Sequence, residues 1–176
     1  MPESNHVEPD YYLLSDIKND HNGSKENTEV TFYLREIELP RYLKDSRMVT
    51  RPTVHTIEFR ENKRWGEPLE DGIARAISMN MQNRVASSQF SLFPNRRKDG
   101  LRWDISISFA SFERASDHII IDAKWLAKDK SGGGVAGNYS SSFPLDKNSS
   151  ETDEINTFNL ALYELSKSIL SSLTSS

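Results

Sequence analysis

The sequence contains no cysteine. That removes disulfides, thiolate nucleophiles, Cys-bearing zinc sites and a lipid attached to any Cys of this chain, and it leaves the redox compartment open. No run of 18 apolar residues occurs, and the opening MPESNHVEPD is polar and acidic, without the apolar centre of a signal peptide. Cations are not in excess: 22 Lys and Arg stand against 26 Asp and Glu, a net charge of -4. No global positive field therefore draws in nucleic acid, and none is expected as a partner.

Catalytic patterns are equally sparse. The four histidines, His6, His21, His55 and His118, are scattered and form no H-x-x-x-H pair, so no metal is implied. No G-x-S-x-G elbow is present. Gly132, Gly134 and Gly137 in GGGVAG match the spacing of a dinucleotide loop, but the strand-like NYSSSF follows them. A pyrophosphate site needs a helix N-terminus there, so the glycines read as a connection between antiparallel strands, and no cofactor is implied. Arg96, Arg97 and Lys98 in NRRKDG read as a solvated hairpin tip, because no aromatic lies among them to stack a base. Contact with anionic lipid head groups or an acidic partner stays open for that turn.

What is present is strong periodicity. The 176 residues fit one domain that buries roughly two-thirds of its unfolded surface. YYLL and VHTIEF read as short strands, with turn chemistry over Ile17–Glu29 around Asn22-Gly23. In VTFYLREIEL the apolar parity switches after Leu34, which predicts a bulge or bend near Arg35. Leu69, Ile73, Ile77 and Met81 form one stripe of a helix opened by Pro68. Ile155, Phe158, Leu162, Leu165, Ile169 and Leu173 predict a second helix over about 152–173. The expected fold class is α+β, a mixed and mostly antiparallel sheet with two main helices on one face.

The two longest strands carry a phase conflict. Leu101 to Phe109 are apolar at odd positions, Phe112 at an even one, and Ile119 to Ala127 at odd ones. A tight turn at Ala115 and Ser116 with a bulge near Ala110 or Ser111 reconciles them, pairing Phe112 with Ile119 and Ile105 with Trp125. Asp104 and Asp122 then stand apart and do not form an acid–base pair. No catalytic residue is assigned.

The stretch LPRYLKDSRMVTR, Leu39–Arg51, mixes four cations with Leu39, Tyr42, Leu43, Met48 and Val49. One reading makes Leu39, Tyr42 and Leu43 a helical turn capping the core, with Arg41, Lys44 and Arg47 in water. The other makes the stretch a docking edge, since Tyr, Met and Arg are enriched at interface centres. The candidate partner-binding residues are Tyr42, Met48, Val49 and Arg51, with contact between copies of this chain as one form of that interface. Trp65 is expected at the helix entrance, packed toward Leu69.

Four motifs in order carry a family resemblance: Tyr11, Tyr12 and Leu14; Pro40, Tyr42, Leu43, Met48, Val49 and Arg51; Trp65, Pro68 and Leu69; Phe112, Glu113 and Trp125. Over about Tyr11 to Leu173 the chain resembles the PqiC (YmbA) family of ABC-type transport auxiliary lipoproteins. The resemblance implies a non-enzymatic periplasmic subunit that works with an MCE-domain protein and an integral membrane transporter subunit. Such a subunit helps to move lipids between the membranes of a Gram-negative envelope. It also implies a lipidated N-terminal Cys at the periplasmic face of the outer membrane, which this chain lacks. Residues 1–10 are accordingly expected to be the remnant of a tether and residues 11–176 a single domain. A free-standing periplasmic lipid carrier is the alternative, and a small hydrolase the third.

Overall fold

The computed structural model describes residues 7–18 and 25–176. The expected tether and the Asn22-Gly23 turn thus lie partly or wholly outside the described residues. In chain order the strands and helices are β1 (Asp10–Tyr12), β2 (Glu26–Leu34), a 3-10 helix (Arg41–Lys44), β3 (Arg47–Thr53), β4 (Thr56–Trp65), α1 (Leu69–Arg84), β5 (Val85–Leu92), β6 (Trp103–Ala115), β7 (His118–Asp129), β8 (Gly134–Pro144) and α2 (Glu151–Thr174). This is the expected α+β class: an eight-stranded mixed sheet with two helices.

Strand β6 is the spine. Along one edge it carries β7 in antiparallel register from Trp103↔Asp129 to Ala115↔His118, and β7 in turn carries β8. Its other edge is shared by two half-sheets. The first half-sheet, β2 with β5, docks parallel at Phe32↔Trp103 to Leu34↔Ile105. The second, β3 with β4 and β1, meets it through Thr50↔Arg114. Four of these pairings are parallel, all of them three residue pairs or fewer except β2–β5 with seven, and the long β6–β7–β8 meander supplies most of the antiparallel character.

Between the half-sheets the chain crosses the seam. The parity switch expected near Arg35 is there: Leu34 pairs with Ile105 while Glu38 bridges Ser108, so four residues on one side span three on the other. Leu34 and Ile37 consequently both reach the core, at 1% and 2% exposure. The Arg41–Lys44 turn then buries Leu43. The basic 95–100 stretch is not a hairpin tip, because β5 and β6 flank β2 on opposite sides and their connection must cross its end. Phe93 N donates to Leu34 O, and Arg102 N to Thr31 Oγ1, on the way across.

The bulge between Phe109 and Ser111 lies where the phase conflict demanded it, and Ile105 shares a buried face with Trp125. The register differs by two: Phe112 pairs with Ile121, and Ile105 with Ala127. The cause is the turn, which uses Ser116 and Asp117, with Ser116 at φ 56°. A shift of two keeps every side chain on its expected face.

Both helices bury their predicted stripes, except that Ile155 at the start of α2 is only partly buried. Leu69, Ile73, Ile77 and Met81 of α1 are at most 3% exposed, as are Phe158, Leu162, Leu165, Ile169 and Leu173 of α2. Ser150 and Asp153 close a capping box that starts α2. Trp65 ends β4 and sits edge-on to Phe158, with ring centroids 5.5 Å apart, and Phe158 also meets Phe112 at 5.0 Å. The β-glycines have structural work. Gly132 turns the β7–β8 connection at φ 98°, and Gly137 lies under the Trp125 indole, where a Cβ would come within 2.6 Å of Cζ2.

Candidate functional site

The bulge that restores the phase of β6 also decides where Glu113 goes. Phe112 faces α2 through Phe158, so its neighbour Glu113 must project from the opposite side of the strand. There it is only 1% exposed, under the seam between the two half-sheets. An isolated carboxylate in such a place is costly, and the structure answers with three donors. Arg51 Nε donates to Glu113 Oε1 at 2.7 Å, Tyr42 hydroxyl to the same oxygen at 3.1 Å, and Phe112 N to Oε2 at 2.7 Å. Arg51 Nη2 also donates to the Tyr42 hydroxyl at 2.9 Å, and its guanidinium lies 5.6 Å from the ring centre. The 3-10 turn presents Tyr42, β3 presents Arg51, and β6 presents Glu113. All three belong to the motifs that carry the family resemblance.

Electrostatics follow from this geometry. Burial, reinforced by the Glu113 charge, pushes the Tyr42 phenol above its ordinary value, which keeps it a neutral donor. The hydrogen bond to Glu113 raises Arg51, fixing its charge. Nearby, Asp45 is held down to about 2 by hydrogen bonds that Arg47 donates from side chain and backbone.

A second buried carboxylate sits on the helix side. Glu154 of α2, 2% exposed, accepts from Arg60 Nη1 at 2.5 Å and from Arg114 Nη1 at 3.0 Å. Arg114 comes from β6 and Arg60 from β4, so this pair clamps α2 across the sheet. Lys63 reaches Glu151 one turn earlier. Asp104, on the polar face, accepts from Arg35 Nε at 2.5 Å and Nη2 at 3.0 Å and is nowhere near Asp122, which neighbours Ser111 and Ser140. In each cluster the carboxylate oxygens already accept from arginine. That arrangement suits holding elements together rather than transferring protons.

The four residues expected at a partner contact divide. Met48 and Val49 are 2% and 5% exposed and belong to the core, contrary to their expected display. The register of β3 against β4 shifts between Arg47 and Met48, and this places two consecutive residues inside. Leu43 is anchored inward as expected, and the Tyr42 hydroxyl with it. Arg51 is not a free surface charge: its side chain is 23% exposed and bound to a fully buried partner. Beside it Nη1 donates to Val54 O at 3.3 Å, and Val54 itself is 77% exposed at the tip of the β3–β4 turn.

Glu113 and Glu154 were missed as buried charges. For Glu113 the phase shift at Ala110 gives only the face, the one opposite Phe112 where an acid ordinarily meets water; its cover comes from Tyr42 and Arg51, which are distant in sequence. Glu154 had no signal, because one acid in the first turn of a helix is ordinary. Among the described residues no group of three or more His, Asp or Glu is placed to hold a metal, and no helix is long and apolar enough to cross a membrane.

The family model of ABC-type transport auxiliary lipoprotein components matches residues 12–170. Two solved structures share the fold. An uncharacterized protein superposes with a TM-score of 0.76 at 12% identity, covering 95% of this chain and 99% of its own. Protein XCC0632 from Xanthomonas campestris superposes with a TM-score of 0.65 at 14% identity, covering 92% of both chains. Among curated proteins, none matches the sequence.

Proposed function

Because the chain belongs to the family of ABC-type transport auxiliary lipoprotein components, we propose that it is a non-catalytic subunit of an MCE/ABC-type system that moves lipids between the inner and outer membranes. The observation that supports this reading is the family match over nearly the whole domain, together with the meeting of three motif residues, Tyr42, Arg51 and Glu113, in one buried network. A subunit of this kind works through surfaces, and its proposed partners are an MCE-domain protein, an integral membrane transporter subunit and further copies of this chain. It resides at the periplasmic face of the outer membrane, with residues 1–10 as a tether and residues 11–176 as one domain.

Within the candidate contact the burial of Met48 and Val49 narrows the accessible part. The proposed contact runs through the rims of Tyr42 and Arg51 to the exposed Val54 at the β3–β4 tip. Buried anchors hold this rim in a fixed shape, the preorganisation that a docking surface needs.

The test is copurification. The chain is expressed with and without an MCE-domain protein and an integral membrane transporter subunit from the same genome, and native mass spectrometry reads the complexes and any lipid. A stoichiometric complex with the MCE-domain protein, and no lipid on the chain alone, is expected. Lipid held by the isolated chain overturns the reading in favour of a free-standing carrier.

A further inference from the structure

The meander ends in an edge without the protections that edges ordinarily carry. Strand β8 spans Gly134–Pro144, pairs with β7 without any register break, and among the described residues has no partner on its other side. Natural edges are blunted by charge, internal proline or bulges. In GVAGNYSSSFP there is no charged residue, the one proline is the last residue, and pairing with β7 is continuous over eleven residues. This occurs in a chain in which 27% of residues are charged, so chance does not readily supply it.

The two faces of β8 differ in a way that specifies an occupant. On the core side Val135, Tyr139 and Phe143 pack against the hydrophobic core yet stay half-buried, leaving apolar surface at the sheet's margin. On the solvent side the residues are Gly134, Ala136, Asn138, Ser140 and Ser142, all small or short. Next to them on β7 stand Lys128, Leu126, Lys124 and Asp122, opposite Gly134, Ala136, Asn138 and Ser140 respectively. The two exposed lysines lie toward the Gly134 end and the one carboxylate toward the Pro144 end, so the cationic part of the edge is Gly134 to Asn138. No ion pair joins either lysine to a described carboxylate. Over such short neighbours a lysine stem can lean across β8, and a Glu on an added strand about 9.5 Å from β7, two strand spacings, meets it by leaning back.

We propose that β8 is a strand-addition site for an extended segment of a protein partner, one that alternates apolar with acidic residues. Main-chain hydrogen bonds to the open edge supply affinity; apolar residues extend the Val135–Tyr139–Phe143 face, and acidic ones meet Lys124 and Lys128. The site lies apart from the Tyr42–Arg51 network and does not depend on the transport role.

The probe is an eleven-residue peptide, capped at both ends, that alternates Val with Glu and Thr; its controls are a scrambled peptide and one with Lys in place of Glu. Binding is read by fluorescence anisotropy on the full chain, and amide exchange locates it. The alternating acidic peptide should protect β8 amides and bind at least about tenfold more tightly than either control. Lys124→Glu with Lys128→Glu should invert the preference toward the Lys peptide. Proline at Ser140 or Ser141 separates edge from interior. One of these two amides faces β7 and the other faces outward, so one variant should lower the melting temperature and the other should abolish peptide binding while melting normally. Equal binding of all three peptides, or no protection of β8, overturns the proposal. So does an edge already protected in the free protein with the mass of a dimer or larger, which would assign it to a second copy.

Discussion

Replacing Arg51 is the sharpest test of the buried network, because reading Arg51 as a surface charge and reading it as the partner of Glu113 predict opposite outcomes. If Arg51 were an isolated surface charge, its loss would change stability by no more than about 0.5 kcal/mol. The structure instead makes it the charge partner of a carboxylate with 0% side-chain exposure, at 2.7 Å. Removing one partner of a buried pair costs about 3–5 kcal/mol, and the lower end applies here because the Arg51 side chain is 23% exposed. For a domain of this length each kcal/mol moves the melting temperature by roughly 2–4 °C. Arg51→Met should therefore melt about 10 °C below the parent in thermal unfolding followed by circular dichroism. Arg51→Glu should be worse, since it sets a second carboxylate against the first. Glu113→Gln keeps an acceptor for Phe112 N, and combined with Arg51→Met it should recover at least about 1 kcal/mol relative to the sum of the single effects. Arg51→Met and Arg51→Glu melting alike and within about 2 °C of the parent would refute the reasoning.

The remaining predictions use other sites. Trp65→Ala removes a 7%-exposed indole from its contact with Phe158 and should cost about 3–5 kcal/mol in denaturant unfolding. Gly137→Ala drives a methyl into the Trp125 ring and should cost about 1–3 kcal/mol, with a change in tryptophan emission that Gly133→Ala, in open space, does not produce. Val54→Asp should weaken capture of the proposed MCE-domain partner in a pull-down while leaving the melting temperature unchanged, because Val54 is 77% exposed. The pH dependence has two arms of opposite sign. The Asp45 carboxyl is depressed from 3.8 to about 2, so its contribution is present above 3.8 and disappears as pH falls toward 2. The Tyr42 phenol is raised above 10.0, so its contribution is intact below 10.0 and disappears as pH climbs through the folded value. Melting curves of Asp45→Asn and Tyr42→Phe should accordingly converge on the parent only at acidic and alkaline extremes respectively.

The elements that the sequence made legible are those whose side chains all face one way. α1 and α2 each show a single apolar stripe, and β6 and β7 alternate cleanly except at the bulge, which their conflicting parity located. Strand β4 was half lost, because RENKRW carries its charge to α2, through Arg60 to Glu154 and Lys63 to Glu151, and so lacks apolar alternation. Strand β3 was lost altogether, since consecutive Met48 and Val49 are both buried across an irregular register and Pro52 signals a turn. The same irregularity explains the candidate site. Composition alone suggested display for a Tyr, Met and Arg segment, whereas the seam it crosses takes in the apolar members and gives Arg51 a buried counter-charge. No local pattern reveals a partner that lies 62 residues away.

The shared edge of β6 also has a kinetic consequence. A chain that emerges N-terminus first, from a ribosome or through a translocation pore, can form the β3–β4 hairpin at once, since its strands are adjacent. Strand β2 cannot pair until Val85–Leu92 arrives on one side and Trp103 on the other. Until then Val30, Phe32 and Leu34 stay in water, and β3 has no counterpart for Thr50 until Arg114 has emerged. Assembly is therefore set late. The local β6–β7–β8 meander closes quickly as a template, and the N-terminal half then docks onto it across long sequence separations. The unpaired interval of β2 is when the young chain is most exposed to aggregation and has most need of a holding chaperone.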